Sequence, residues 1–205
     1  MTQLIIEPHY LGSLEYYVLI AQHDSILLET NDRFKKQTFR NRSYVLGSNS
    51  VLPLILPLRF SNHMTTREVT VDHSQRWKKD HWGAFYSAYG KAPFYEYFSD
   101  MFAEIWEKKQ KFLIDINHDF LALTLKLLQL NVNVTHLEEN VEISGNDQRD
   151  CILPKKPFTD RKIYRPAPYT QLFGDTFVPN LSIIDLIMCE GPQASQVLTA
   201  SFLRD

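Results

Sequence analysis

The first 29 residues constrain the fold more than any other part of the chain. Residues 4–6 are an apolar run closed by Pro8, which is typical of a buried strand entering a tight loop. Residues 14–21 have the apolar spacing of a helix, and residues 25–29 again have the pattern of a strand. A strand, a helix and a strand in this order favour a βαβ unit with parallel pairing. The sequence therefore predicts an α/β fold, with a mixed, partly parallel sheet and helices packed against it.

Hydrophobic periodicity extends this prediction along the chain. We expect further strands at 43–46, 51–58, 67–71 and 134–137, and helices at 77–89, 94–108, 112–130 and 181–188. In the helix 94–108, one apolar stripe is expected, formed by Phe94, Tyr97, Phe98, Met101, Phe102, Ile105 and Trp106. The last helix is expected to begin at the N-cap Ser182, with Asp185 completing a capping box. Residues 138–168 are polar and rich in proline, and we expect them to lack regular structure, which favours a functional or mobile segment.

Length and composition predict one domain spanning residues 1–205. At 205 residues and 44% hydrophobic content, the chain can bury a core without disulfides. The sequence has two cysteines, Cys151 and Cys189. The N-terminus lacks the apolar core of a secretory signal peptide, and no apolar run approaches the roughly 20 residues of a membrane helix. We therefore predict a cytoplasmic protein with reduced thiols. A formal charge of -2 predicts neither a nucleic-acid partner nor a membrane partner.

Most of the familiar catalytic motifs are absent. The sequence has no glycine-rich nucleotide-binding motif, no zinc-protease motif and no CxxC pair. None of its seven histidines lies at metal-ligand spacing from a cysteine or another histidine. The sequence therefore predicts no metal site, and it indicates neither a particular cofactor nor an oligomeric state.

The loop after the first predicted strand is the first candidate site, with Glu7, His9 and Tyr10. Ligands of open α/β sheets bind at the carboxyl ends of strands, and a helix N-terminus favours anions. His9 is the candidate general base, because imidazole titrates near neutral pH. Either Glu7 or Asp185 is expected to be its carboxylate partner. The alternative is a tight turn in which His9 bonds to the backbone. A faint similarity to the HIGH-motif nucleotidylyltransferases lacks that motif's second histidine.

A basic segment, residues 35–42, is the second candidate. Its cations and amides suit a phosphate or carboxylate group, and arginine can bind such a group with two parallel hydrogen bonds. A solvated surface is the alternative interpretation. The candidate ligand-binding residues are Lys36, Gln37, Arg40, Asn41 and Arg42.

Two further segments complete the candidate set. In the segment 81–94, Trp82, Tyr86 and Tyr89 lie on one helical face, which is more often core than pocket, whereas Lys91 lies in the following turn. In the segment 169–185, the side chains that can bind a substrate or orient a base are those of Tyr169, Gln171 and Asp185.

Four motifs in order resemble the WbqC-like protein family. They are EPHYLGSLEYY (7–17), FKKQTFRNRSYV (34–45), HWGAFYSAYGKAPFYEYF (81–98) and YTQLFGDTFVPNLSIIDLIMCEGP (169–192). The resemblance covers nearly the whole chain except 138–168. It departs from the family at Glu7, where glutamine is usual, and at Cys189, where asparagine is usual. The family is largely uncharacterised. Some members are encoded among genes for O-antigen polysaccharide synthesis, which implies transfer of an aminoacyl or acyl group to a sugar.

Two classes of function remain open at this point. The first is a transferase that moves an aminoacyl or acyl group to an amino sugar or nucleotide sugar, with His9 as base. Arg40, Arg42 and Lys91 would then neutralise a phosphate or carboxylate of this small-molecule substrate. The second is a non-catalytic binding or scaffold module in such a pathway. Convergence of the four motifs on one concave pocket would favour the enzyme.

Overall fold

The structure is a computed structural model that describes residues 3–138 and 145–203. Its strands are β1 (Gln3–Ile6), β2 (Ser25–Leu28), β3 (Arg42–Leu46), β4 (Val51–Ile55), β5 (Leu58–Arg59), β6 (Thr70–Val71), β7 (Asn133–His136) and β8 (Asn146–Asp147). Its α-helices are α1 (Leu14–Ala21), α2 (Trp77–Tyr89), α3 (Tyr95–Glu107), α4 (Leu113–Leu127), α5 (Ile183–Glu190) and α6 (Ala194–Ala200).

The central sheet has the strand order β7-β2-β1-β8, and all of its neighbouring strands are parallel. Leu4, Ile5 and Ile6 of β1 are completely buried, because the central strand of a parallel sheet is covered on both faces. Helix α1 links β1 to β2, and Ser13 caps its first turn. The predicted α/β fold and its N-terminal βαβ unit are confirmed.

Outside this sheet, two strand predictions need correction. The predicted strand 51–58 is divided into β4 and β5, which belong to separate two-stranded sheets. The predicted strand 67–71 begins as a 3-10 turn (Thr66–Glu68), and β6 is its remaining strand segment. The cause of this turn is local, because the Glu68 carboxylate accepts a hydrogen bond of 2.7 Å from the backbone N–H of Thr65.

The polar segment 138–168 contains regular structure, contrary to the expectation. Strand β8 pairs with β1 through Leu4↔Asn146 and Ile5↔Asp147, and a 3-10 turn follows at Phe158–Asp160. Two polar residues present no apolar alternation, so β8 leaves no signal in the hydrophobic pattern. Residues 139–144 of this segment lie outside the described residues.

The helix predictions are confirmed in position and partly wrong in detail. In α3, Phe102, Ile105 and Trp106 are buried, but Tyr97 is 72% exposed, so the expected stripe is narrower. Ser182 caps α5 as predicted. The capping box is wrong, because side chains from elsewhere in the fold bind the carboxylate of Asp185.

No helix within the described part of the chain is long and apolar enough to cross a membrane.

Candidate functional site

Charged side chains converge at the carboxyl ends of the parallel strands. Glu7 follows β1, Glu29 and Asp32 follow β2, and Arg149 and Asp150 follow β8. Since the strands are parallel, their carboxyl ends meet at one edge of the sheet. This sheet edge is therefore the first candidate site of the structure.

Glu7 and His9 form a buried pair at this edge. His9 Nε2 lies 3.2 Å from Glu7 Oε1, and neither side chain is more than 1% exposed. Burial favours the protonated acid, but the bond to His9, the charge that His9 carries when protonated and the charge of Arg40 outweigh it and lower the pKa of Glu7 to about 2. The carboxylate is thus an acceptor, and His9 Nε2–H donates to it. Of the two carboxylates considered, Glu7 is the partner of His9.

The other ring nitrogen of His9 is unusual. Nδ1 is buried and has no hydrogen-bond partner among the described residues. The ring stacks on Tyr16 at 4.3 Å and contacts Phe39 at 5.5 Å between centroids. In the neutral ring, donation from Nε2 leaves a lone pair on Nδ1. General bases use a carboxylate that orients an imidazole in this way, but their second nitrogen contacts the substrate, whereas Nδ1 of His9 is enclosed by protein.

Arg40 is the cation at the centre of this edge, and it is completely buried. Its guanidinium donates to Asp32 at 2.6 Å and to Asp150 at 3.1 Å, and it lies 3.8 Å from Glu7. Asp150 also donates its backbone N–H to Glu7 Oε2 at 3.0 Å. Arg40 therefore fixes the loops that follow β1, β2 and β8 against one another.

A cavity of about 440 Å³ opens beside this cluster and is lined by Asp32, Lys35, Asp147, Arg149 and Asp150. Lys35 pairs with Asp150, and Arg149 bonds to Glu29 at 2.9 Å. Asp150 thus lines the cavity and also contacts Glu7, which contacts His9. These contacts connect a ligand-sized space to the His9–Glu7 pair.

A second cluster gathers three of the candidate residues around a fourth, Asp185. Its carboxylate accepts hydrogen bonds from the hydroxyls of Tyr89 at 3.1 Å and Tyr169 at 2.5 Å, and from the Gln171 amide at 2.9 Å. Burial raises the pKa of Asp185, although these three bonds oppose the shift. Burial, followed by the charge of Asp185, raises the pKa of the Cys189 thiol to about 12. The cluster joins α2, α5 and the 169–171 segment.

Tyr10 lies in the core rather than at either cluster. Trp106 donates to the Tyr10 hydroxyl at 2.8 Å, which lies 2.7 Å from His81 Nδ1. His81 Nε2 lies 3.2 Å from the carbonyl of Ile55. Since an indole N–H only donates, the Tyr10 hydroxyl donates to Nδ1, and His81 is neutral with its proton on Nε2.

This network makes stability depend on pH. Burial lowers the pKa of His81 from 6.5 to about 4, so the unfolded chain binds a proton at a higher pH than the folded protein. We expect the free energy of unfolding to fall as the pH drops from 6.5 to 4, by up to roughly 3 kcal/mol from this group. Urea unfolding across this pH range measures it. A His81→Asn variant with the same pH slope as the wild type would contradict the assignment.

The remaining candidates lie in several environments. Lys36 covers the ring of Phe60 at 4.9 Å, and Asn41 donates to the carbonyl of Leu56 at 2.9 Å. Gln37 has a positive φ of 60° in the turn before β3. Trp82 packs on Trp106. Arg42 is the first residue of β3, and its Nε atom is buried. Lys91 follows α2, and its side chain is exposed. His9 and Glu7 belong to one cluster, and Tyr89, Tyr169, Gln171 and Asp185 to another.

Sequence reasoning missed a third polar group. Glu15, on α1, is completely buried and receives two bonds from Arg161, at 2.6 and 2.5 Å. Asn180 bonds to the same carboxylate at 3.1 Å. The signal was a glutamate in an otherwise apolar helix, since a buried carboxylate requires a partner. Asp32 and Asp150 were missed because nothing in the sequence relates them to Arg40.

No group of three or more histidine, cysteine, aspartate or glutamate side chains suited to a metal occurs in residues 3–138 or 145–203.

Comparison with known proteins gives a family match across most of the chain. Residues 7–154 and 155–197 match the WbqC-like protein family. The Uncharacterized protein Rv1507c of Mycobacterium tuberculosis (strain ATCC 25618 / H37Rv) is 22% identical over 223 aligned positions, which cover 95% of this chain and 96% of the relative. No solved structure shows significant similarity.

Proposed function

The chain belongs to the WbqC-like protein family, and we propose that it is a transferase that moves an aminoacyl or acyl group to a small polar acceptor at the sheet edge. The observation that carries the proposal is the buried His9–Glu7 pair, in which Nδ1 of His9 has no hydrogen-bond partner among the described residues. The acceptor class follows from the family resemblance and is an amino sugar or nucleotide sugar of surface polysaccharide synthesis.

The proposed step is a nucleophilic acyl transfer. The acceptor amine attacks the carbonyl carbon of an activated donor, such as a thioester, and a C–N bond forms. The bond to the leaving group breaks, and the leaving group departs with the electron pair. His9 Nδ1 takes the proton from the amine nitrogen, and Glu7 stabilises the resulting imidazolium. The buried Glu7 carboxylate, with its lowered pKa, supports this second role.

The charges at the sheet edge support an acceptor that carries an amine. Five carboxylates (Glu7, Glu29, Asp32, Asp147 and Asp150) meet three cations (Lys35, Arg40 and Arg149), so the edge has a net negative charge. Such an edge attracts an ammonium group, while Lys35 and Arg149 offer contacts to a phosphate or carboxylate of the same substrate.

A second candidate function is a non-catalytic binding module. It is favoured by two observations. The four sequence motifs do not converge on one concave pocket in the described part of the chain, since Lys91 lines a different cavity from the one at the sheet edge. The His9 side chain is also completely enclosed, whereas a general base has to reach its substrate. The two functions differ in what the sheet-edge cavity does. An enzyme binds both substrates there and releases a product, whereas a module binds one ligand unchanged.

A ligand screen tests the proposal first. We expect acyl-coenzyme A, nucleotide sugars or amino acids to raise the unfolding midpoint, since a ligand at about 100 times its Kd adds roughly 2.7 kcal/mol. The Lys35→Met substitution at the cavity should abolish the effect, and Lys155→Met, at an exposed position without described contacts, should preserve it. Stabilisation that is equal in both variants, or absent with every compound, would contradict ligand binding at this edge.

A further inference from the structure

A separate cavity lies between the end of α2 and the segment that follows Gln171. Its volume is about 320 Å³, which is within the size range of small-molecule sites. Its lining includes Ser48, Tyr86, Ser87, Lys91, Leu172 and Phe173. None of these residues lines the cavity at the sheet edge, so the two cavities are distinct.

The polar groups of this cavity are available to a ligand. Lys91 is the one charged residue among the described residues that line it, and its ammonium forms no ion pair within the described ranges. The hydroxyls of Ser48 and Ser87 likewise have no hydrogen-bond partner in the part of the chain that the structure describes. An ammonium and two hydroxyls together suit a carboxylate, which accepts several hydrogen bonds.

The walls of the cavity are apolar and held in place. Tyr86, a large aromatic residue that is 62% exposed, lines the cavity together with Leu172 and Phe173. The preceding residue, Gln171, is fixed by bonds of 2.9 Å from its amide nitrogen to Asp185 and to the carbonyl of Val178. Because this wall is anchored to a buried cluster, a ligand that binds here does not have to order the loop first.

We propose that this cavity binds a small organic anion, a carboxylate with an apolar aromatic or aliphatic body. The carboxylate contacts Lys91 and the two serine hydroxyls, and the apolar body lies between Tyr86 and the wall of Leu172 and Phe173. The inference is independent of the proposed transfer reaction, since it rests on other residues and another cavity.

A titration with 4-phenylbutyrate tests this site, followed by amide NMR signals of the isotopically labelled full-length protein. We expect saturable shifts at residues 87–91 and 172–173. The Lys91→Met substitution keeps the length of the side chain and removes its charge, so the affinity for the carboxylate should fall by about tenfold or more. The neutral amide 4-phenylbutanamide should bind the wild type and Lys91→Met equally.

The matched control is Lys79→Met, at an exposed position of the same helix α2 but outside this cavity. It should bind 4-phenylbutyrate like the wild type. Equal affinity of Lys91→Met and the wild type for the carboxylate would overturn the proposal, as would shifts confined to other surfaces. Both substitutions replace exposed side chains, and an unchanged amide spectrum verifies that the fold is retained.

Discussion

Replacing His9 by Gln is expected to lower the turnover number of the proposed transfer by roughly 10² to 10⁴, with little change in KM. Glutamine can still bond to Glu7, but its amide does not accept a proton as imidazole Nδ1 does. The loss therefore falls on the chemical step, in which the acceptor amine has to lose its proton. The measurement is steady-state kinetics with the donor and acceptor that stabilise the protein in the ligand screen.

The control for this prediction is His63→Gln, because His63 is exposed and lies in the loop between β5 and β6. It should retain the wild-type rate. Since His9 is buried, the unfolding midpoint of His9→Gln has to be measured as well, and the comparison is made where both proteins are folded. A folded His9→Gln protein that turns over at the wild-type rate would exclude His9 as the base and would favour the binding module.

The N-terminal half of the sheet was predictable because its signals are local. The βαβ unit depends on apolar runs and helical spacing, each of which is contained within ten residues of sequence. Glu7 and His9 are two residues apart in the sequence, so a contact between their side chains could also be expected from the sequence alone. Strand β8 was not predictable, because Asn146 and Asp147 are polar and are held by backbone bonds to β1.

The way the candidate residues group in space was only partly predictable. Tyr169, Gln171 and Asp185 were grouped from one C-terminal segment, and Tyr89 joins them across 96 residues of sequence. The arginine at the sheet edge was expected to bind substrate, but Arg40 is buried between Asp32 and Asp150. Contacts at such sequence separations arise from the packing of the whole chain, and periodicity within a segment carries no information about them.

The buried ion pair of Glu15 and Arg161 is expected to contribute strongly to stability. Glu15 is completely buried, and the side chain of Arg161 is 9% exposed. Arg161 also donates to the carbonyl of Lys156 at 2.7 Å, so the pair fastens the segment after β8 to helix α1. Removing the arginine leaves an uncompensated carboxylate in the core, which costs far more than the loss of an exposed ion pair.

We therefore expect Arg161→Met to lower the free energy of unfolding by about 3 to 5 kcal/mol, measured by urea denaturation. The matched control is Arg165→Met, four residues on and exposed, which should change stability by less than about 0.5 kcal/mol. The double variant Glu15→Met with Arg161→Met should be destabilised by less than the sum of the two single variants, because it leaves neither charge unpaired. If Arg161→Met costs no more than Arg165→Met, the segment after β8 is held by its other contacts, and the pair is not what fastens it.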